Sequence, residues 1–150
     1  MNSIQRGLKI AGISLALGFI AAPCSQARLW ESPPRGPKRV VVDKSQQVLR
    51  AYEGDRVVLQ TRISSGRRGR ETPSGRFHAQ SKSLMHYSRL YDNAPMPYSV
   101  QIAGNYFIHG FDYVPNYPAS HGCIRVPISQ AREFYNWVDY GTPVYVVGRS

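Results

Sequence analysis

Ser120-His121-Gly122-Cys123-Ile124-Arg125 places a thiol two residues after an imidazole. A second imidazole stands upstream in Phe107-Ile108-His109-Gly110. A free thiol is only a few per cent thiolate at neutral pH, so a cysteine that attacks carbonyl carbon needs a base to take its proton. Imidazole suits that task near neutrality. In extended backbone His121 points to the same side as Cys123, and in a tight turn it reaches past the sulfur towards a substrate carbonyl. His109 lies across a loop of Gly, Pro, Tyr and Asn residues that can fold back, so it can face the thiol from a neighbouring strand. We read His109 as the base, with the Gly110 carbonyl fixing its other ring nitrogen, and His121 as a local polariser. Gly122 admits substrate close to the backbone, and the Gly122 and Cys123 N–H groups are expected to form an oxyanion hole.

Each residue has a plainer reading beside the chemical one. A lone cysteine is most often a small buried hydrophobe. His121 could cap a turn, and His109 could be a satisfied core residue. His78 and His86 have no partner pattern and read as structural. A zinc site from His109, His121 and Cys123 is the sharpest chemical rival, but it lacks a fourth ligand and the usual paired spacing. No metal and no cofactor is therefore expected.

Cys123 is the sole thiol only once the N-terminus is gone. Arg6 and Lys9 precede an apolar run from Ile10 to Ala22, and Pro23-Cys24-Ser25-Gln26-Ala27 follows. That is the order of a secretory signal peptide, with an apolar run too short for a comfortable membrane span. Cleavage after Ala27 discards Cys24. A lipidated Cys24 is the rival, disfavoured by Pro23 immediately before it, and an uncleaved anchor is a smaller one. The expectation is an exported protein, with residues 1–27 as signal peptide, 28–37 as an extended lead-in and 38–148 as one domain.

Removing Arg6 and Lys9 from the 19 basic residues leaves 17 against 9 acidic, a net charge of +8. Such a balance suits nucleic acid, a membrane surface or an acidic polymer. The basic residues are scattered apart from Arg67-Arg68-Gly69-Arg70, and no zinc-finger, RRM-type or basic-helix pattern accompanies them. With an export signal, nucleic acid is a remote partner, and no specific membrane partner is indicated. A charge that only aids solubility is an equally good reading.

The elements that must position these residues are mostly strands. Arg39 to Asp43 and Gln47 to Tyr52 flank a polar turn, and Glu53-Gly54-Asp55 turns into Arg56 to Ile63. There Val57, Leu59, Thr61 and Ile63 share one face, as a half-buried antiparallel strand requires. Thr72-Pro73-Ser74-Gly75 turns into a strand over 76–80. The tyrosine-rich stretch 81–97 reads as a loop over the sheet. Tyr98 to Ala103 and Tyr106 to Gly110 form a hairpin about Gly104-Asn105, delivering His109 to a strand end. One amphipathic helix follows, capped by Ser129, with Ala131, Phe134, Tyr135 and Val138 on one face, and Gly141 and Pro143 stop it. Val144 to Val147 closes a mostly β domain with one helix packed against it.

These motifs together resemble the L,D-transpeptidase catalytic domain of YkuD type. Its signature is a His-Gly or His-Ser element, then Ser/Thr-His-Gly-Cys, an apolar residue and Asn or Arg. Thr72-Pro73-Ser74-Gly75-Arg76-Phe77 is similar to the family's Thr-Pro-x-Gly-x-Phe turn. Met96-Pro97-Tyr98 and Gly141-Thr142-Pro143-Val144 also match, so the likeness spans about 38–148. It implies mixed sheets arranged as a sandwich or barrel, with one helix after the cysteine. It also implies a peptidoglycan enzyme in which Cys123 attacks the third-residue carbonyl of a tetrapeptide stem, expels D-alanine and forms a thioester. A second stem resolves that thioester as a 3→3 cross-link. His109 would be the general base, with Ser120, His121, Gly122 and Gly110 lining the oxyanion and substrate site and Arg125 binding a stem carboxylate. The basic surface then has a partner in the anionic stems.

Water or the lysine of an envelope lipoprotein could instead receive the acyl group, and a non-catalytic envelope-binding module is the reading from another class. The loop between His109 and Ser120 is shorter than in many members, and Arg125 replaces the commoner Asn. No LysM-like module is evident, so the domain is expected to find its substrate alone or through a partner.

Overall fold

In the computed structural model, which describes residues 35–149, period-two burial builds most of the architecture. The expected signal peptide over 1–27 and most of the expected lead-in over 28–37 lie outside the described residues. The strands are β1 (Lys38–Asp43), β2 (Val48–Glu53), β3 (Arg56–Arg62), β4 (Gly75–His78), β5 (Ser81–Tyr87), β6 (Pro95–Ala103), β7 (Tyr106–Phe111), β8 (Ile124–Pro127) and β9 (Pro143–Val147). The helix α1 (Ile128–Trp137) sits between the last two strands. One mixed sheet runs β3-β2-β1-β9-β4 and the other β5-β6-β7-β8, with β1–β9 and β7–β8 parallel. The expected mostly β class with one helix is what the fold shows.

Apolar side chains from both sheets and the helix join in one core. Val40, Val42, Leu49, Val144 and Val146 come from the first sheet, and Val100, Ile102, Ile108, Ile124 and Val126 from the second. Ala131, Phe134 and Val138 of the helix region complete it. Successive strand residues point to opposite faces. Ile108 and Gly110 of β7 therefore look inward, while Phe107, His109 and Phe111 look outward. Gly110 leaves the space that α1 needs: a Cβ there would stand 3.3 Å from that of Ala131 and 3.2 Å from Pro97. In β8 the same alternation buries Ile124 and Val126 and turns Cys123 and Arg125 to the outer face.

Three local expectations are corrected. The stretch 81–97 is not a loop throughout, because β5 and an N-terminal extension of β6 occupy most of it. β5 is an edge strand whose Leu84, Met85 and Tyr87 stay exposed, so it carries no apolar alternation to read. Pro95 and Pro97 fit in β6 because its pairing with β7 begins only at Val100. The alternation of β3 fails at Val57, which is 44% exposed. A bulge opposite Ala51 and Tyr52 pairs Leu59 and Val57 but leaves Val58 over, which shifts the face of the residues before it. Ser129 does not cap α1, since the cap is Pro127 and no side chain bonds the first turn. Finally, β8 itself is a strand of four residues that the motif conceals.

Candidate active site

Parallel pairing of β7 with β8 assembles the site. Ile108 registers with Ile124 and His109 with Arg125, so Cys123 stands one residue ahead of the ladder, beside Phe107. His109, Cys123, Arg125, His121 and Ser120 all line one pocket of about 240 Å³. The segment 88–94 forms another wall through Ser88, Arg89, Leu90, Tyr91 and Ala94. The lining includes three imidazoles and two guanidiniums and no carboxylate.

His109 is buried, and its Nδ1 lies 2.9 Å from the Gly110 carbonyl oxygen. A carbonyl can only accept, so this bond puts the proton on Nδ1 and leaves Nε2 with a free lone pair. Burial is the main force on its basicity and holds the pKa down at about 4, helped by the Arg125 guanidinium and His86 and opposed by the Gly110 carbonyl. Burial pushes the Cys123 thiol up, offset in part by the Phe107 backbone and Arg125. Both shifts favour neutral partners, so the resting pair is thiol and imidazole rather than thiolate and imidazolium. The thiol directs its proton towards the Asn105 carbonyl at 3.5 Å. Among the described residues no group of three His, Cys, Asp or Glu is placed to hold a metal ion.

The loop bearing the cysteine is held from three sides. Ser120 Oγ donates to the Cys123 carbonyl and accepts the Gly122 N–H at 3.1 Å. Of the two expected oxyanion donors, the Gly122 N–H is thus already engaged. Gly122 adopts φ +125°, where a side chain is strained, and a Cβ would also meet the Tyr106 ring at 3.2 Å. Thr72 Oγ1 donates to the Gly122 carbonyl at 2.7 Å and accepts the Gly66 N–H at 2.9 Å. The buried Lys44 ammonium in turn donates to the Thr72 carbonyl at 2.8 Å. Thr72→Val keeps the shape but strands both backbone groups. We expect a loss of about 1–3 kcal/mol in chemical denaturation, the cost of unsatisfied buried polar groups.

His121 is placed differently from His109. Its ring stacks on Tyr91, with centroids 4.6 Å apart, and its carbonyl accepts the Tyr91 hydroxyl at 3.3 Å. Burial lowers its pKa first, and Arg67, Arg70 and Arg125 add to the effect. Arg125 is steadied over the Phe111 ring, 4.1 Å from its centroid.

Of the seven residues read from sequence, Cys123, His109, Ser120, His121 and Arg125 line this pocket, while Gly110 faces the core and reaches the site only through its carbonyl on His109, and Gly122 belongs to the cysteine loop without lining the pocket. Sequence reasoning missed four others. His86 was read as structural, yet it lines the pocket and stacks on Phe107 at 4.7 Å. Asn105 was read only as a turn residue, Tyr91 as part of a loop, and Thr72 as part of a turn. The tyrosine-rich composition of 81–97 and the His86 ring within it were the available signals. No spacing rule reveals contacts that arise when separate loops converge.

The family model for the YkuD-type L,D-transpeptidase catalytic domain matches residues 37–146. None of the curated proteins matches the chain. Among solved structures, an L,D-transpeptidase from Stackebrandtia nassauensis superposes with a TM-score of 0.70 at 25% identity, covering 85% of this chain and 62% of that one. One from Xylanimonas cellulosilytica gives 0.69 at 31% identity, covering 77% and 63%. An L,D-transpeptidase solved in complex with imipenem gives 0.67 at 25%, covering 73% and 58%. This chain spans less than two thirds of each of these proteins.

Proposed function

The chain belongs to the YkuD-type L,D-transpeptidase catalytic-domain family, and from that premise we propose that it is a cysteine-dependent peptidoglycan L,D-transpeptidase. Convergence of Cys123 with a buried, oriented His109 in one pocket is the observation that carries this reading. As substrate enters, Nε2 of His109 takes the proton from Sγ, and the sulfur attacks the carbonyl of the third stem residue. The negative oxygen that forms is met by the Cys123 N–H, with His121 at the same mouth. The C–N bond to D-alanine breaks as His109 returns the proton to its nitrogen, leaving a thioester on Cys123. An amine of a second stem then attacks that thioester, giving a 3→3 cross-link and free thiol.

A pocket lined by guanidiniums and imidazoles without a carboxylate suits the anionic stem. Arg125 is the donor for a stem carboxylate, since a planar guanidinium matches it through two parallel hydrogen bonds. Export through residues 1–27 places the enzyme in the periplasm, where its substrate is. Incubation of the purified protein with disaccharide-tetrapeptides should yield cross-linked dimers and free D-alanine, read by mass spectrometry. Free D-alanine with a tripeptide product alone would mean a carboxypeptidase, and transfer only to an envelope lipoprotein's lysine would mean an anchoring enzyme. Neither D-alanine nor dimer from folded protein would overturn the reading.

A further inference from the structure

Gly122 does not by itself set the plane of the peptide that joins it to Cys123. Glycine rotates more freely than any other residue, and this one sits at φ +125°. What holds the peptide is a hydroxyl 50 residues away in the chain: Thr72 Oγ1 donates to the Gly122 carbonyl at 2.7 Å and accepts the Gly66 N–H at 2.9 Å. Both directions are fixed, since a carbonyl can only accept and a backbone N–H can only donate. Thr72 is itself immobilised. It is buried, and the Lys44 ammonium donates to its carbonyl at 2.8 Å. Gly66 packs so closely that a Cβ there would stand 2.7 Å from the Thr72 nitrogen. The Gly66 segment is in turn tied to the cysteine loop, because Ser120 N–H reaches the Ser65 carbonyl and Arg67 N–H the Ser120 carbonyl, each at 3.0 Å. One hydroxyl thus fastens three separate stretches of chain at the residue before the thiol.

A trans peptide is planar, with its carbonyl and its N–H directed oppositely. The Gly122 carbonyl faces Thr72, which is buried and does not line the pocket, so the Cys123 N–H is turned away from that buried side. The other candidate donor, the Gly122 N–H, is held by Ser120 Oγ at 3.1 Å. The aim of the Cys123 N–H therefore decides how well a negative oxygen is met. We propose that Thr72 is a positioning residue for acyl transfer: its hydroxyl fixes the plane of the Gly122–Cys123 peptide and aims the Cys123 N–H at the carbonyl oxygen under attack. The proposal rests on the transpeptidase reading and deepens it, adding to Cys123 and His109 the group that holds their backbone donor in place.

The anchor serves the chemistry in two ways. As the Cys123 sulfur bonds to the carbonyl carbon, the π electrons move onto oxygen and meet an N–H that needs no reorientation. An amide whose carbonyl already accepts a hydrogen bond also presents a more positive N–H, because bonds in such a chain polarise one another. When the C–N bond breaks and the carbonyl re-forms as a thioester, the same N–H remains on its oxygen. The acyl-enzyme consequently reports the contact.

The test uses the full mature protein as wild type, Thr72→Val, Thr72→Ser and, as a control for lost stability, Val40→Ala in the core. Two quantities are read: D-alanine release from a disaccharide-tetrapeptide, and the infrared frequency of the acyl carbonyl after a carbapenem has acylated Cys123. T72V should lower kcat and kcat/KM alike, as expected for an interaction made in the transition state. The loss should be about 10–100-fold, smaller than the roughly 10²–10³-fold for deleting an oxyanion donor, because the N–H is misaimed rather than removed. Its acyl carbonyl should absorb at higher frequency than that of wild type, as a more weakly hydrogen-bonded carbonyl does. T72S keeps the hydroxyl and should restore both, and V40A should change neither. Where T72V does not fold, T72A supplies the same comparison. A folded T72V with wild-type kcat or an unshifted carbonyl, a loss confined to KM, a T72S as slow as T72V, or an equal loss in V40A would overturn the assignment. No D-alanine release by wild type would overturn the transpeptidase reading instead, and the carbonyl frequency of the carbapenem adduct would still decide the role of Thr72.

Discussion

Replacing His109 with Gln should slow acylation of Cys123 by about 10²–10⁴-fold at pH 7, the usual contribution of a positioned general base. The reason lies in the resting state. Burial keeps the imidazole neutral down to about pH 4 and raises the thiol, so little thiolate exists until a base removes the proton during attack. The wild-type rate should consequently stay flat from pH 7 down to about pH 5, because His109 remains unprotonated there. An ordinary histidine would impose a fall beginning near pH 6.5. In H109Q the rate should instead climb about tenfold per pH unit, following the thiolate fraction alone. A wild-type acid limb near 6.5, or an H109Q profile parallel to wild type, would show that His109 is not the base. Stopped-flow labelling with a carbapenem or a tetrapeptide supplies both profiles.

The same burial makes the fold itself pH-sensitive. His109 is neutral in the folded state down to about pH 4, while the unfolded chain binds that proton near pH 6.5. The unfolded state therefore holds more protons between those values. The stability contributed by the neutral ring is complete above pH 6.5 and is lost as pH falls towards 4. By linkage the loss amounts to about 2–3 kcal/mol between pH 7.5 and 4.5. Urea denaturation at the two pH values should show that decrease in wild type. H109Q should show a decrease smaller by most of that amount, since His121, which also has a lowered pKa, is common to both proteins. Equal decreases in the two proteins would mean that His109 titrates normally and is not buried as described.

Both results turn on residues that could be named before any coordinates, and the physical reason is local. The period-two pattern of Val40 and Val42, and of Ile108, is the direct imprint of a half-buried sheet. Gly104-Asn105 announces its hairpin because the turn needs a positive φ, which Gly104 supplies at +44°. Cys123 and His109 stood out because thiol and imidazole are rare enough here for their spacing to carry weight. What could not be read depends on partners distant in sequence. β5 owes its existence to the backbone of β6, not to its own apolar pattern. The bulge at Val58 is set by pairing with β2. The contact of Thr72 with Gly122 spans fifty residues, and the approach of Arg70 to Tyr91 joins two loops that share no motif. His86 was passed over because a histidine without a neighbouring ligand pattern gives no hint of the ring on which it stacks.

Intact-protein mass spectrometry after rapid mixing with a disaccharide-tetrapeptide tests the central claim most directly. A covalent adduct equal to the donor less D-alanine is expected on wild type, mapped to Cys123, absent from Cys123→Ala and slow to appear in H109Q. Folded wild-type protein that releases D-alanine while Cys123 stays unmodified at every time point, or a Cys123→Ala variant that still forms the adduct, would contradict it.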